Sequence, residues 1–323
     1  MSGLIPGKVL RSTGSWYAVS DPDGNVVDCR LKGRFRIKGI RTTNPVAVGD
    51  EVEYSLDENM GSGVIVKIHE RHNYIVRKAT KLSKAVHIIA ANIDQAVVIA
   101  SLNRPKTPTG FIDRFLTTAE AYHIPSVVVF NKHDLYDKQE KELLEYYAGS
   151  YKMAGYRVLI TSVPDRLRLE GFKNMLKNKV SLLSGQSGVG KSELINAVNP
   201  ELNLKVGKIS EYHKKGKHTT TFAEMFPLGF GGFVIDTPGI KEFGLVEFEK
   251  SELGQRFPEF RERMHKCRFN NCLHVDEPGC AIIDALEKGE ISPFRYENYL
   301  KMLSDCLTIN DTFMGGFYNS NLL

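Results

Sequence analysis

Apolar positions up to residue 72 come in short runs, among them SWYAVS, RFRIKGI, VGDEVEYSL and GSGVIVKIHE, broken by turn signals such as DPDGN. No helical period links them. Short strands separated by Gly and Asp predict a small β-barrel of OB-fold-like kind, and an SH3-like barrel would read the same way. From residue 73 the pattern changes. QAVVIAS, SVVVF, RVLIT, VSLLS and GGFVID are unbroken apolar runs, as expected of strands buried on both faces of a mainly parallel sheet. Between them, FIDRFLTTAEAYH, KQEKELLEYYAGSYKMAG and SELINAVN read as helices. Beyond residue 245 the chain is mostly polar and helical. The expected organisation is an N-terminal OB-fold-like β-barrel (1–72), a central α/β unit (73–245) and a C-terminal, mostly helical unit (246–323).

A length of 323 residues suits two or three domains, and 42% hydrophobic with 25% charged residues is ordinary for a globular protein. No segment approaches the ~18–20 apolar residues of a membrane span, and MSGLIPGKVLRSTGSWYAV lacks the apolar core of a secretory signal. A cytoplasmic protein with no membrane partner is expected. Five cysteines, three of them crowded between Cys267 and Cys280, argue against a disulfide framework and for a metal site. Cys267, Cys272, His274 and Cys280 give C-x4-C-x-H-x5-C, and Pro278 and Gly279 supply a turn that returns Cys280 to the others. Three thiolates and one imidazole suit a closed, tetrahedral, structural Zn²⁺ site. Cys29 and Cys306 read as plain thiols.

The net charge of +5 is mild, but its placement is uneven. Arg30, Lys32, Arg34, Arg36 and Lys38 alternate with Leu31, Gly33, Phe35 and Ile37, so an extended chain would put the basic groups on one face. Such a face suits an RNA phosphate backbone, although an isolated run of this kind is usually just solvated. Arg261, Arg263, Lys266 and Arg268 form a second basic group beside the cysteines.

GQSGVGKS matches GxxxxGK[ST], with a strand pattern before it and a helical one after. Gly185, Gln186, Ser187, Gly188, Val189 and Gly190 would turn backbone N–H groups onto a phosphate at a helix N-terminus. Lys191 would bridge the β- and γ-phosphates and Ser192 would ligate Mg²⁺. NKHD distinguishes the base. Asp134 can accept from the guanine ring N–H and amine, which adenine does not offer; Lys132 would lie along the base, and Asn131 would tie this loop to the phosphate loop. The plainer alternative is a polar helix start with Asp134 as N-cap. Ser162, within TSV, matches a loop whose backbone contacts guanine O6. Asp236 and Gly239 of DTPG would serve the Mg²⁺ shell and the γ-phosphate, and either Thr219 or Thr220 of KHTTT would complete that shell.

The order base reader, TSV, phosphate loop, HTTT, DTPG resembles a circularly permuted P-loop GTPase. With a barrel before it and a Cys/His cluster after it, the whole chain resembles the family of ribosome small-subunit-dependent GTPase A (RsgA, or YjeQ). The resemblance implies a central permuted GTPase domain and GTP hydrolysis to GDP stimulated by the small ribosomal subunit. It also implies contact with the subunit's rRNA and a role in its late maturation. A monomer is expected. Position 240, where many GTPases place a water-orienting Gln, is Ile240. His218 beside the switch threonines is the candidate substitute, and a surface histidine is the bland alternative. The permutation also makes DTPG the exit from the central unit into the cysteine-bearing region. The competing reading is a nucleotide-gated RNA-binding module in which hydrolysis is incidental.

Overall fold

The computed structural model describes residues 3–32, 42, 44–57, 61–78, 86–204, 223–236 and 249–314. Arg34, Arg36, Lys38, His218, Thr219, Thr220 and Gly239 lie outside the described residues.

Five strands, β1 (Ile5–Ser12), β2 (Tyr17–Ser20), β3 (Val26–Leu31), β4 (Glu51–Asp57) and β5 (Ser62–Ile68), pair in the order β1-β2-β3-β5-β4. A further β1–β4 pairing closes the barrel. Only β3 and β5 run parallel. This closed order, with one parallel pair, is the OB arrangement and sets aside the SH3-like alternative. Period-two alternation turns Val19, Cys29, Val52, Tyr54 and Ile65 into the core. Strand β1 was not evident in the sequence because IPGKVLRS carries Pro6 and Gly7, ordinarily strand breakers. Here the glycine is required: a Cβ at Gly7 would lie 2.4 Å from Val19 Cγ1.

The hairpin β6 (Tyr74–Lys78) and β7 (Val86–Ala91) leads into the central sheet. That sheet comprises β8 (Gln95–Ala100), β9 (Ser126–Phe130), β10 (Arg157–Ile160), β11 (Val180–Ser184), β12 (Glu224–Pro227) and β13 (Phe233–Asp236). Their order is β10-β9-β8-β11-β13-β12. The first five are parallel, and β12 runs antiparallel to β13 and joins the sheet to the barrel through Arg11 and Glu224. Along β8, Ala96, Val98 and Ala100 face one core, shared with helices α1 (Thr109–Ala121) and α2 (Lys138–Met153). Val97 and Ile99 face the other, shared with α3 (Leu169–Leu176) and α4 (Lys191–Val198). Helices on both faces explain why these runs carry no polar alternation.

The cysteine-bearing region folds as short helices at Lys250–Leu253, Pro258–Arg261 and Ala281–Glu287, followed by a long one at Pro293–Met314. Leu253, Phe257, Phe260, Ile282 and Tyr299 form its core. The long helix also docks on α1. Arg295, 1% exposed, reaches Asp113 Oδ1 at 2.6 Å and forks onto Glu259 at 2.8 and 3.0 Å. Asn298 Nδ2 donates to Asp113 Oδ2 at 2.6 Å.

Candidate functional site

The sheet order reverses between β8 and β11, and an open α/β sheet binds ligands at the carboxyl ends of its strands beside such a point. Four loops meet there. The loop after β11 runs from Gly185 to Gly190 and opens α4. Gly190 has φ of 95°, and a Cβ on it would lie 2.5 Å from Asn131 Nδ2, so the close approach of the two loops depends on its being glycine. Lys191 is 8% exposed and folds back on its own loop, Nζ donating to Gly185 O at 2.5 Å and Gln186 O at 3.1 Å. Burial lowers its pKa, opposed by the charge of Asp236. Burial pushes the Asp236 carboxyl up to about 7, with Lys191 opposing and Glu224 adding. Ser192 is buried beside Lys191, and Ser184 Oγ, at the end of β11, is buried with no partner among the described residues. Gln186 and Ser187 lie between the turn glycines.

The loop after β9 carries Asn131, Lys132 and Asp134. Asn131 Nδ2 donates to Val189 O at 2.9 Å across 58 residues of chain, and Asn131 Oδ1 accepts from Thr161 Oγ1 at 3.0 Å. Lys132, left-handed at φ of 66°, donates from Nζ to Gly188 O at 2.6 Å and to Arg104 O at 2.5 Å. Asp134 does not cap α2; that role falls to Asp137, which forms a capping box with Glu140. Instead Asp134 Oδ1 accepts from Ser162 Oγ at 2.7 Å, joining the loop after β10. Among the described residues the Ser162 N–H makes only a long 3.4 Å bond, to Leu167 O.

A fourth wall went unread in the sequence. The loop 101–108 after β8 is folded on itself by Ser101 Oγ donating to Pro105 O at 2.6 Å and by Ser101 N–H donating to Thr107 Oγ1 at 3.1 Å. Pro105 faces Gly188, and Tyr136 ties the loop to the base reader, its hydroxyl accepting from Leu102 N–H and donating to Asn131 O. The available signal was position: SLNRPKTP leaves the same sheet edge as the other three loops.

Cys267, Cys272, His274 and Cys280 come together with all ligand atoms within 4.8 Å of one another. His274 Nδ1 lies 3.6 Å from Cys267 Sγ and 3.4 Å from Cys280 Sγ. The set is buttressed by the long helix: Tyr299 and Tyr296 donate to Leu273 O at 2.6 Å and His274 O at 2.7 Å. Three soft sulfurs and one imidazole gathered in this way can hold a metal ion.

The basic groups divide. Arg30 is exposed at the barrel surface with Lys32 next on the same face. Within the basic group beside the cysteines, Arg261 pairs with Glu120 at 2.9 Å, and Arg263 with Glu290 at 3.4 Å and Glu262 at 3.5 Å. Lys266 and Arg268 have no carboxylate partner among the described residues.

Residues 68–246 match the RsgA GTPase family model and residues 6–65 the RsgA N-terminal domain model. The chain belongs to the RsgA GTPase family. A small ribosomal subunit biogenesis GTPase RsgA from Flavobacterium psychrophilum is 51% identical over 319 residues, covering 98% of this chain and 97% of that protein. The crystal structure of YjeQ from Thermotoga maritima superposes with a TM-score of 0.77 at 36% identity, covering 94% of this chain and 99% of that one. YloQ, described as a circularly permuted GTPase, gives 0.73 at 32% identity, over 95% and 96%. This family member is thus a GTPase, and in it NKHD precedes GQSGVGKS. Among the described residues no helix is long and apolar enough to cross a membrane.

Proposed function

We propose that this RsgA-family GTPase is Mg²⁺-dependent and acts on the small ribosomal subunit late in its maturation, docking through the barrel and the Cys/His unit, with turnover raised by the subunit. The observation that carries the guanine reading is the Asn131–Val189 bond, which closes base reader and phosphate loop into one site despite their swapped order. Asp134 takes the guanine edge. Only its Oδ1 is engaged among the described residues, by Ser162. The N–H groups of 185–190 hold phosphates, and Lys191 exchanges two neutral carbonyl acceptors for charged phosphate oxygens. A buried hydroxyl, Ser192, and a half-buried carboxylate, Asp236, fit a hard divalent cation, joined by Thr219 or Thr220. Bound Mg²⁺ would supply neutralisation of phosphate charge. Gly239 meets the γ-phosphate, and His218 positions the attacking water in place of Ile240.

Zn²⁺ is the ion best suited to Cys267, Cys272, His274 and Cys280. A closed four-ligand set leaves no open position, so its role is structural. Arg30, Lys32, Arg34, Arg36 and Lys38 face rRNA. Nucleotide state leaves the central domain (73–245, between a 1–72 barrel and a 246–323 unit) through the exit after Asp236. The packed contact of α1 with Arg295 supports such coupling. The protein works as a cytoplasmic monomer.

The test is GTP turnover by the full chain with and without purified small subunits. A several-fold or larger rise is expected. Turnover that subunits leave unchanged, with nucleotide-dependent RNA binding intact, would favour a gated binding module instead.

A further inference from the structure

Trp16 is the only tryptophan in the chain. It stands at the end of the β1–β2 turn, where Thr13 N–H donates to Trp16 O at 2.8 Å. Tyr17 pairs with Cys29 in the β2–β3 ladder, and both point into the barrel core. The preceding and following residues, Trp16 and Arg30, therefore meet on the outer surface. The Arg30 guanidinium lies 4.1 Å from the Trp16 ring centroid. Trp16 is half-buried and Arg30 exposed, and the turn beside them, Thr13, Gly14 and Ser15, is small and open. Among the described residues no carboxylate pairs with Arg30. An exposed cross-strand pair of this kind adds little to stability.

In OB barrels the β2–β3 face and the β1–β2 loop are where oligonucleotides lie. Flat aromatic rings and guanidinium planes there stack unpaired bases. We infer that Trp16 and Arg30 form a stacking step for an unpaired base of single-stranded RNA, with Lys32 taking an adjacent phosphodiester. This goes beyond a backbone-gripping basic face, because it requires a base to be splayed out of its helix. It rests on the reading of the barrel as the rRNA-facing element.

The sole indole makes the test local. Tryptophan emission of the full chain is titrated with a short single-stranded oligoadenylate, with an abasic oligomer of equal charge, and with duplex RNA of the same length. The inference expects quenching by the single strand and little by the other two. Arg30→Lys, which keeps the charge but removes the plane, should weaken single-strand binding roughly tenfold. Arg30→Gln serves as a second variant if the first melts early. Equal quenching by the abasic oligomer, or unchanged affinity in a folded Arg30→Lys protein, would overturn it, as would no response to any RNA, the result expected if this face meets a protein. None of these titrations involves turnover. Subunit-stimulated hydrolysis without quenching would therefore remove only this inference, and quenching without stimulation only the proposed function.

Discussion

At the seam between α1 and the Cys/His unit, every arm of the buried Arg295 guanidinium is engaged: Nη1 meets Asp113, and Nε and Nη2 meet Glu259. The two carboxylates hold it charged against its own desolvation. At the loop that follows β11 Lys191 is also buried, yet its described partners are two main-chain carbonyls. Asp236 close by is driven toward its neutral form. The first cluster is complete and needs nothing more. The second, among the described residues, is an arrangement of desolvated polar groups that the proposed nucleotide and its cation would complete. A buried ion network adds little net stability but is costly to break, so it fixes how two units sit; an unfinished one marks where a ligand belongs.

The largest effect should come from the support beneath the complete cluster. Chelating the proposed Zn²⁺, or Cys280→Ser, should unfold the region from 249 to 306, since structural Zn²⁺ contributes on the order of 10 kcal/mol to such units. Hydrogen exchange should then show protection lost there and kept along β8 and β11. Next, Arg295→Met should strand Asp113 and Glu259 and cost about 3–5 kcal/mol in urea unfolding. Lys191→Met should change stability by about 1 kcal/mol or less while lowering GTP turnover by roughly 10²-fold or more. If the two substitutions behaved alike, the contrast drawn here would fail. Asn131→Ala removes the tie between loops and should weaken GTP binding about tenfold by calorimetry, with the fold intact. Smallest, Tyr299→Phe removes one hydroxyl bond to Leu273 O and should cost about 1 kcal/mol in thermal melting.

The difference between the clusters also explains what could be read from the sequence. The loops proposed to hold nucleotide stand out because glycines, a Lys-Ser pair and an NKHD run fall together in one chain, each directly after an apolar strand. The parallel strands are as legible, since burial on both faces leaves no polar alternation to confuse them. Arg295 gives no such sign. In SPFRYENYLKMLSDC it is one charged residue among several on a polar helix, and only the fold brings Asp113 to it from 182 positions away. The partners of Arg261 and Arg263 are hidden for the same reason: Glu120 and Glu290 reach them only in space. Strand β12 was hidden by its brevity and by Pro227, which is tolerated at its last position, beyond the pairing with β1 at Glu224. The loop 101–108 carries no motif at all. Its place at the shared sheet edge is its only signal.

The central claim is that two loops in swapped order close on one guanine nucleotide. The direct measurement is competition between GTP and ATP for the wild-type chain and for Asp134→Asn. The account predicts a strong preference for GTP that falls by about 10²-fold or more in the variant, with Ser162 left facing an amide. A preference for GTP that survives the substitution unchanged would contradict it.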